Sequence, residues 1–194
     1  DPRFSVNRAR LLDAPAIVNP FAGMQPEFRE AVLSSLLMTD PPSHTRIRSL
    51  VNKAFTPRRI ELLRPRIQAI VDELLDALPV GSEIDLMHDF AEPLPITVIA
   101  ELLGVPARDR VRFKSWSTVL GTLLDPVASE FGLRELEVAF SDMTAYFNSL
   151  FEERRREPRD DLMSALVAAE ESGDRLSSSE LLSVCALILG AGHE

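Results

Sequence analysis

The last nineteen residues, Leu176 to Glu194, constrain this chain more than any other stretch. Ser177 and Glu180 have the spacing of a capping box, and the run from Leu181 to Ala191 that follows is apolar apart from Ser183. A helix with almost no polar face has to be surrounded by other elements. At well under the roughly 20 residues of a membrane span, it reads as a strut buried inside a protein. The rest of the chain must therefore supply a helical shell, and the sequence predicts a mainly α protein. With 194 residues, of which 45% are hydrophobic, there is material for one packed domain, and only 8 glycines argue against many hairpins.

Proline divides the remaining sequence. Asp1 to Thr39 carries Pro2, Pro15, Pro20 and Pro26 and is expected to be mostly loop, with short helical turns near Val6 to Leu12 and Pro26 to Ser34. Asp40 is placed as an N-cap and Pro41 at the first position of a helix running to Phe55. Thr56-Pro57 repeats that signal, and Pro65 is expected to restart the helix that carries Ile67, Ile70, Val71, Leu74, Leu75 and Leu78 before Pro79 and Gly81 end it. Ile84 and Leu86 alternate with acids, so Ser82 to Leu86 is predicted as one short strand. Helices are expected over about Met87 to Leu103, Ala107 to Leu124, Glu130 to Arg156, Asp160 to Ser172 and Leu176 to Glu194, with Arg154 to Arg156 forming a solvated helix end.

A net charge of -9 opposes binding to nucleic acid or to anionic lipid. The single cysteine, Cys185, allows no internal disulfide and suits a reducing compartment, which makes the cytoplasm the expected location. Cys185 sits within the apolar run, where a buried thiol serves packing. His44, His88 and His193 show no metal-ligand spacing, and no phosphate-binding glycine loop or nucleophile elbow is present.

Two places carry candidate chemistry. With Ile47 set at zero on a helix turning about 100° per residue, Leu50, Val51 and Ala54 fall within about 60° of it, His44 lies near 60° and Arg48 near 100°. His44 and Arg48 are four residues apart and adjacent, while Arg46, Ser49 and Lys53 fall on the opposite, solvated side. Cations at a core edge need anions, and this helix face has none. Either an acid from elsewhere in the fold pairs Arg48, with His44 a satisfied core histidine, or an anionic ligand does. The second place is Gly190-Ala191-Gly192-His193-Glu194. Two glycines there each cost roughly 1 kcal/mol against alanine within a helix. They mark either a simple C-cap or a site of close backbone approach.

Asp40-Pro41-Pro42-Ser43-His44-Thr45-Arg46-Ile47-Arg48, followed by Ala54-Phe55-Thr56-Pro57, resembles the C helix of bacterial cytochromes P450, the haem-thiolate monooxygenases. Asp1 to Ser5 resembles the segment entering their B helix, Pro158 to Leu162 the stretch before the H helix, and Ala191 to Glu194 the oxygen-binding kink of the I helix. The likeness covers essentially the whole chain. It implies one partial cytochrome P450 domain over residues 1–194, from about the B helix to the middle of the I helix. His44 and Arg48 would hold the propionates of haem b, with Ala191 also against the cofactor. Leu187 and Gly190, and less directly Leu36 and Leu37, would line the substrate pocket. Gly192 would leave room for oxygen and Glu194 would relay protons. The implied reaction inserts one oxygen atom from O2 into a small organic substrate, a hydroxylation or epoxidation of secondary metabolism. Its electrons would come from a ferredoxin or flavodoxin type donor.

The 194 residues contain neither the Glu-x-x-Arg of the K helix nor the loop whose cysteine ligates iron. The resemblance therefore implies that the iron ligand lies outside this chain and that the 194 residues alone are inactive. A non-catalytic, all-helical ligand-binding or interaction module is the alternative that acidic helices and an inward cationic pair would also allow.

Overall fold

The computed structural model describes residues 5–12, 24–124, 133–171 and 173–192. Among the described residues, eight α-helices carry the fold: α1 (Pro26–Leu33), α2 (Ser43–Ala54), α3 (Pro57–Asp76), α4 (Pro93–Leu102), α5 (Arg110–Leu124), α6 (Leu133–Arg156), α7 (Leu162–Ala168) and α8 (Ser178–Ala191). Between α7 and α8 the strands β1 (Glu170–Glu171) and β2 (Asp174–Arg175) form a two-stranded antiparallel hairpin.

α8 is the helix that the others surround. It packs on α5, α1, α6 and α4, and it buries Leu181, Leu182, Val184, Cys185 and Leu189. Both halves of the expected capping box are present: the Ser177 hydroxyl accepts from the Glu180 N–H, and the Glu180 carboxylate accepts from the Ser177 N–H. The helix is nevertheless not covered on every side. Leu187 is half-buried and Ala191 exposed, so its last turns present a free face. Aromatic rings fill the α5–α6 interface, where Phe113, Trp116, Phe147 and Phe151 are all buried and in edge-on, tilted or stacked contact.

Several expectations fail for identifiable reasons. The strand at Ser82 to Leu86 does not form: Ile84 and Leu86 are exposed, and no strand lies beside them among the described residues. Instead the Asp85 carboxylate accepts from the N–H groups of Met87 and His88 and caps a π-turn at Met87–Ala91, a local competitor to a strand ladder. α3 runs unbroken through Pro65. Arg66, beside that proline, makes paired bonds of 2.6 and 2.7 Å to Glu101 of α4, and this tether holds the helix across the missing N–H. Asp40 does not cap α2, which begins at Ser43 after Pro42. Its carboxylate instead accepts from the Ser5 hydroxyl and the Val6 N–H, tying the amino-terminal segment to this corner. The helix expected over Asp160 to Ser172 starts after Asp161, whose carboxylate accepts from the Ser164 N–H at 2.7 Å, and gives way at Ala169 to the hairpin.

The largest correction concerns Arg154, expected in a solvated helix end. It is 1% exposed. Its guanidinium donates to Asp161 (2.6 Å), to Glu153 (2.8 Å) and to the carbonyl of Gly104 (3.0 Å), joining the end of α6 to the cap of α7 and the end of α4. Gly104 has φ +69°, and a Cβ there would sit 2.9 Å from the Arg154 guanidinium and against the Asp161 carboxylate. Only glycine meets both conditions.

Candidate functional site

On α2 the apolar stripe behaves as the 3.6-residue period requires. Ile47, Leu50 and Ala54 are buried against the core, chiefly against α7, and Val51 and Phe55 pack at its edge. His44 is half-buried, and Arg48, one turn on, is exposed. Neither side chain makes a hydrogen bond or ion pair with a described residue. Arg48, expected at the edge of the stripe and facing inward, lies exposed at its rim, and no acid among the described residues neutralises it. Two cation-capable groups at adjacent positions, one of them half-buried, thus have no anion among the described residues.

Arg46, expected on the solvated side, is a cation of α2 with well-defined acidic partners. Its guanidinium donates to Glu180 in the first turn of α8 and reaches Asp174 at 3.4 Å and the Arg175 carbonyl at 3.5 Å. Nothing on α2 signals this, because both acids come from the opposite end of the sequence. An open groove of about 740 Å³ lies along this side of α2, between Pro41, Thr45, Ser49 and Asp174. It is separate from the face that carries His44 and Arg48.

At the far end of α8, Gly190 is buried, while Ala191 and Gly192 are exposed. A Cβ at Gly192 would lie 2.5 Å from Ile99 Cδ1 of α4 and 2.8 Å from the Ile188 carbonyl oxygen. Gly192 is the C-cap residue of α8, the simpler of the two expectations, and a Cβ there would crowd the tip of the Ile99 side chain of α4. Leu187 and Ala191, four residues apart, share the free face of α8. Leu36 packs against the core and Leu37 is 48% exposed. Glu194 and His193 lie outside the described residues. The structure links α2 to α8 through Arg46 and Glu180, about 15 Å along the helix axis from Gly190.

The donor set fits a ligand carrying carboxylates, such as the propionates of haem: Arg and His are the side chains that hold carboxylates by charge-assisted bonds. It does not extend to an iron ligand. Cys185 is fully buried in the packed face of α8, and burial pushes its thiol well above the ordinary cysteine range. Among the described residues no cluster of His, Cys, Asp and Glu is arranged to hold a metal ion.

The fold is thus a set of helices packed around α8, with a His–Arg pair on α2 that meets no acid among the described residues. Comparison with known proteins identifies the family. The chain is 49% identical over 173 residues to cytochrome P450 107B1 of Saccharopolyspora erythraea, covering 89% of this chain and 41% of that protein. It is 44% identical over 171 residues to the cytochrome P450 monooxygenase PikC of Streptomyces venezuelae, covering 87% and 39%. It is 42% identical over 195 residues to the mycinamicin IV hydroxylase/epoxidase of Micromonospora griseorubida, covering 100% and 47%. Among solved structures, the bacillaene polyketide synthase cytochrome P450 PksS of Bacillus subtilis superimposes with a TM-score of 0.81 at 38% identity, covering 100% of this chain and 45% of that one. Ligand-free cytochrome P450 TbtJ1 superimposes with a TM-score of 0.77 at 42% identity, covering 90% and 46%. No protein-family model matches the chain. The chain belongs to the cytochrome P450 family, and it spans under half the length of the relatives it matches.

Proposed function

We propose that the protein carrying this chain is a haem-dependent monooxygenase that inserts one oxygen atom from O2 into a small organic substrate. Hydroxylation or epoxidation in secondary metabolism is the reaction we assign. The observation that supports this most directly is the His44–Arg48 pair, which meets no anion among the described residues, in a chain 42–49% identical to bacterial cytochromes P450. Haem b, when bound, supplies the iron at which O2 is activated.

The chain's own residues would do the rest. His44 and Arg48 hold the cofactor's carboxylates and fix its orientation. Ala191 would lie against the cofactor, and Leu187 and Gly190, with Leu36 and Leu37 less directly, would line an apolar pocket that excludes water from the substrate. Gly192 would leave room beside that wall, and Glu194 would be the acid that relays protons. Cys185 takes no part. The 194 residues are read as part of a single domain, from about the B helix to the middle of the I helix. A ferredoxin or flavodoxin type protein serves as electron donor. Among the described residues no helix is long and apolar enough to cross a membrane, and we place the protein in the cytoplasm.

The test is spectroscopic. The full gene product, reduced under carbon monoxide, should show the absorption band of thiolate-ligated haem, and binding of its organic substrate should shift the main haem band. A protein that takes up no haem, or shows no thiolate-type band, would refute the assignment.

A further inference from the structure

We propose that Arg46 is a positioning residue that sets the orientation of the His44–Arg48 pair relative to α8, acting through Glu180; the inference rests on the haem reading above. α2 carries the anion-holding pair, yet its packing is mainly on α7 and β1. Its polar link to α8 is the Arg46 guanidinium, which bonds the Glu180 carboxylate and reaches Asp174 and the Arg175 carbonyl. Glu180 is itself held. Its other oxygen accepts from the Ser177 N–H at 2.8 Å, and its side chain is 13% exposed. Arg46 is thus anchored to a group that cannot swing away, which distinguishes it from surface pairs such as Arg64–Glu61.

Two residues along a helix place Arg46 nearly opposite Arg48, so Arg46 cannot touch a ligand held by Arg48. It can control how α2 is rotated about its own axis. Side chains reach about 5–6 Å from a helix axis, so a rotation of about 10° moves the Arg48 guanidinium by about 1 Å. Displacements of that size change how well fixed donors meet a rigid ligand. The first turn of α8 has a second, independent tie, from the Ser179 hydroxyl to Glu30 of α1 at 2.7 Å, which involves no part of α2. That tie supplies the control.

The experiment uses the haem-loaded full gene product and its R46A, R46K, E180Q and S179A variants. Three readouts are taken: the rate of haem transfer to an excess of a haem-free globin, the low-frequency Raman band of the haem propionates, and the unfolding temperature. Haem release should accelerate about five- to tenfold in R46A and E180Q, with a shifted propionate band. R46K should recover most of that loss. S179A should lower the unfolding temperature while leaving release and the propionate band as in the parent. Equal acceleration in S179A, or an unchanged rate and band in R46A, would overturn the positioning role while leaving the haem assignment standing. A parent protein that holds no haem would overturn the assignment, and the inference with it.

Discussion

Replacing Arg48 by alanine separates a ligand anchor from a structural cation. Arg48 is exposed and makes no hydrogen bond or ion pair with a described residue, so its removal breaks no polar contact among them. Stability without cofactor should change by no more than about 0.5 kcal/mol, the usual range for a surface substitution. A charge-assisted hydrogen bond to a carboxylate contributes about 1.5–3 kcal/mol. At about 1.4 kcal/mol per factor of ten, haem affinity should fall roughly 10- to 150-fold. His44→Ala should show the same pattern with a somewhat larger loss of stability, because the ring is half-buried. The assay is a pair of titrations of the full gene product: denaturant unfolding of the cofactor-free protein, and haem binding followed by absorbance. Unchanged haem affinity in both variants would refute the anchor role. A stability loss above about 2 kcal/mol in Arg48→Ala would show a structural cation instead.

The Arg154 clamp makes the opposite prediction. Arg154→Ala leaves the Asp161 carboxylate, whose side chain is 9% exposed, without its counter-ion and should cost about 3–5 kcal/mol. In a chain of this size that is a fall of about 6–20 °C in the unfolding temperature, measurable by calorimetry. A fall below about 3 °C would contradict the buried-pair argument. Asp142 accepts from Arg112 and from the indole N–H of Trp116, and the Arg112 guanidinium holds its carboxyl below the usual aspartate value. A lowered carboxyl adds stability that is fully present above the ordinary aspartate value and is lost as pH falls through the depressed one. Fluorescence of Trp116, the one tryptophan, should therefore change only well into the acid range, and Arg112→Gln should move that change to higher pH. Cys185, buried with its thiol pushed upward, should resist alkylation in the native protein at pH 8 and react fully in denaturant. Rapid native labelling would contradict its place in the core.

Much of the helical frame was legible in the residues because its signals are local. Ser177 and Glu180 cap α8 within one turn, Thr56 caps α3 with Pro57 behind it, and Ile47, Leu50 and Ala54 mark the buried stripe of α2. The errors share one cause. Alternation at Ser82 to Leu86 has the period of a strand, but a strand also needs a neighbour, and Asp85 found closer backbone partners. Pro65 should have broken a helix, and a salt bridge from the next residue kept it whole.

The same division runs through the site. Sequence alone determined which residues are candidates: spacing put His44 and Arg48 on one face of one helix, and the glycines at 190 and 192 stood out as either a helix cap or a close approach. Only the tertiary structure decided which cations are already satisfied. Arg46 and Arg154, both expected in solvent, are neutralised by Glu180 and Asp161, whereas Arg48 meets no anion among the described residues. An ion pair depends on a few ångströms between groups distant in sequence, 134 positions apart for Arg46 and Glu180, and no local pattern encodes that distance.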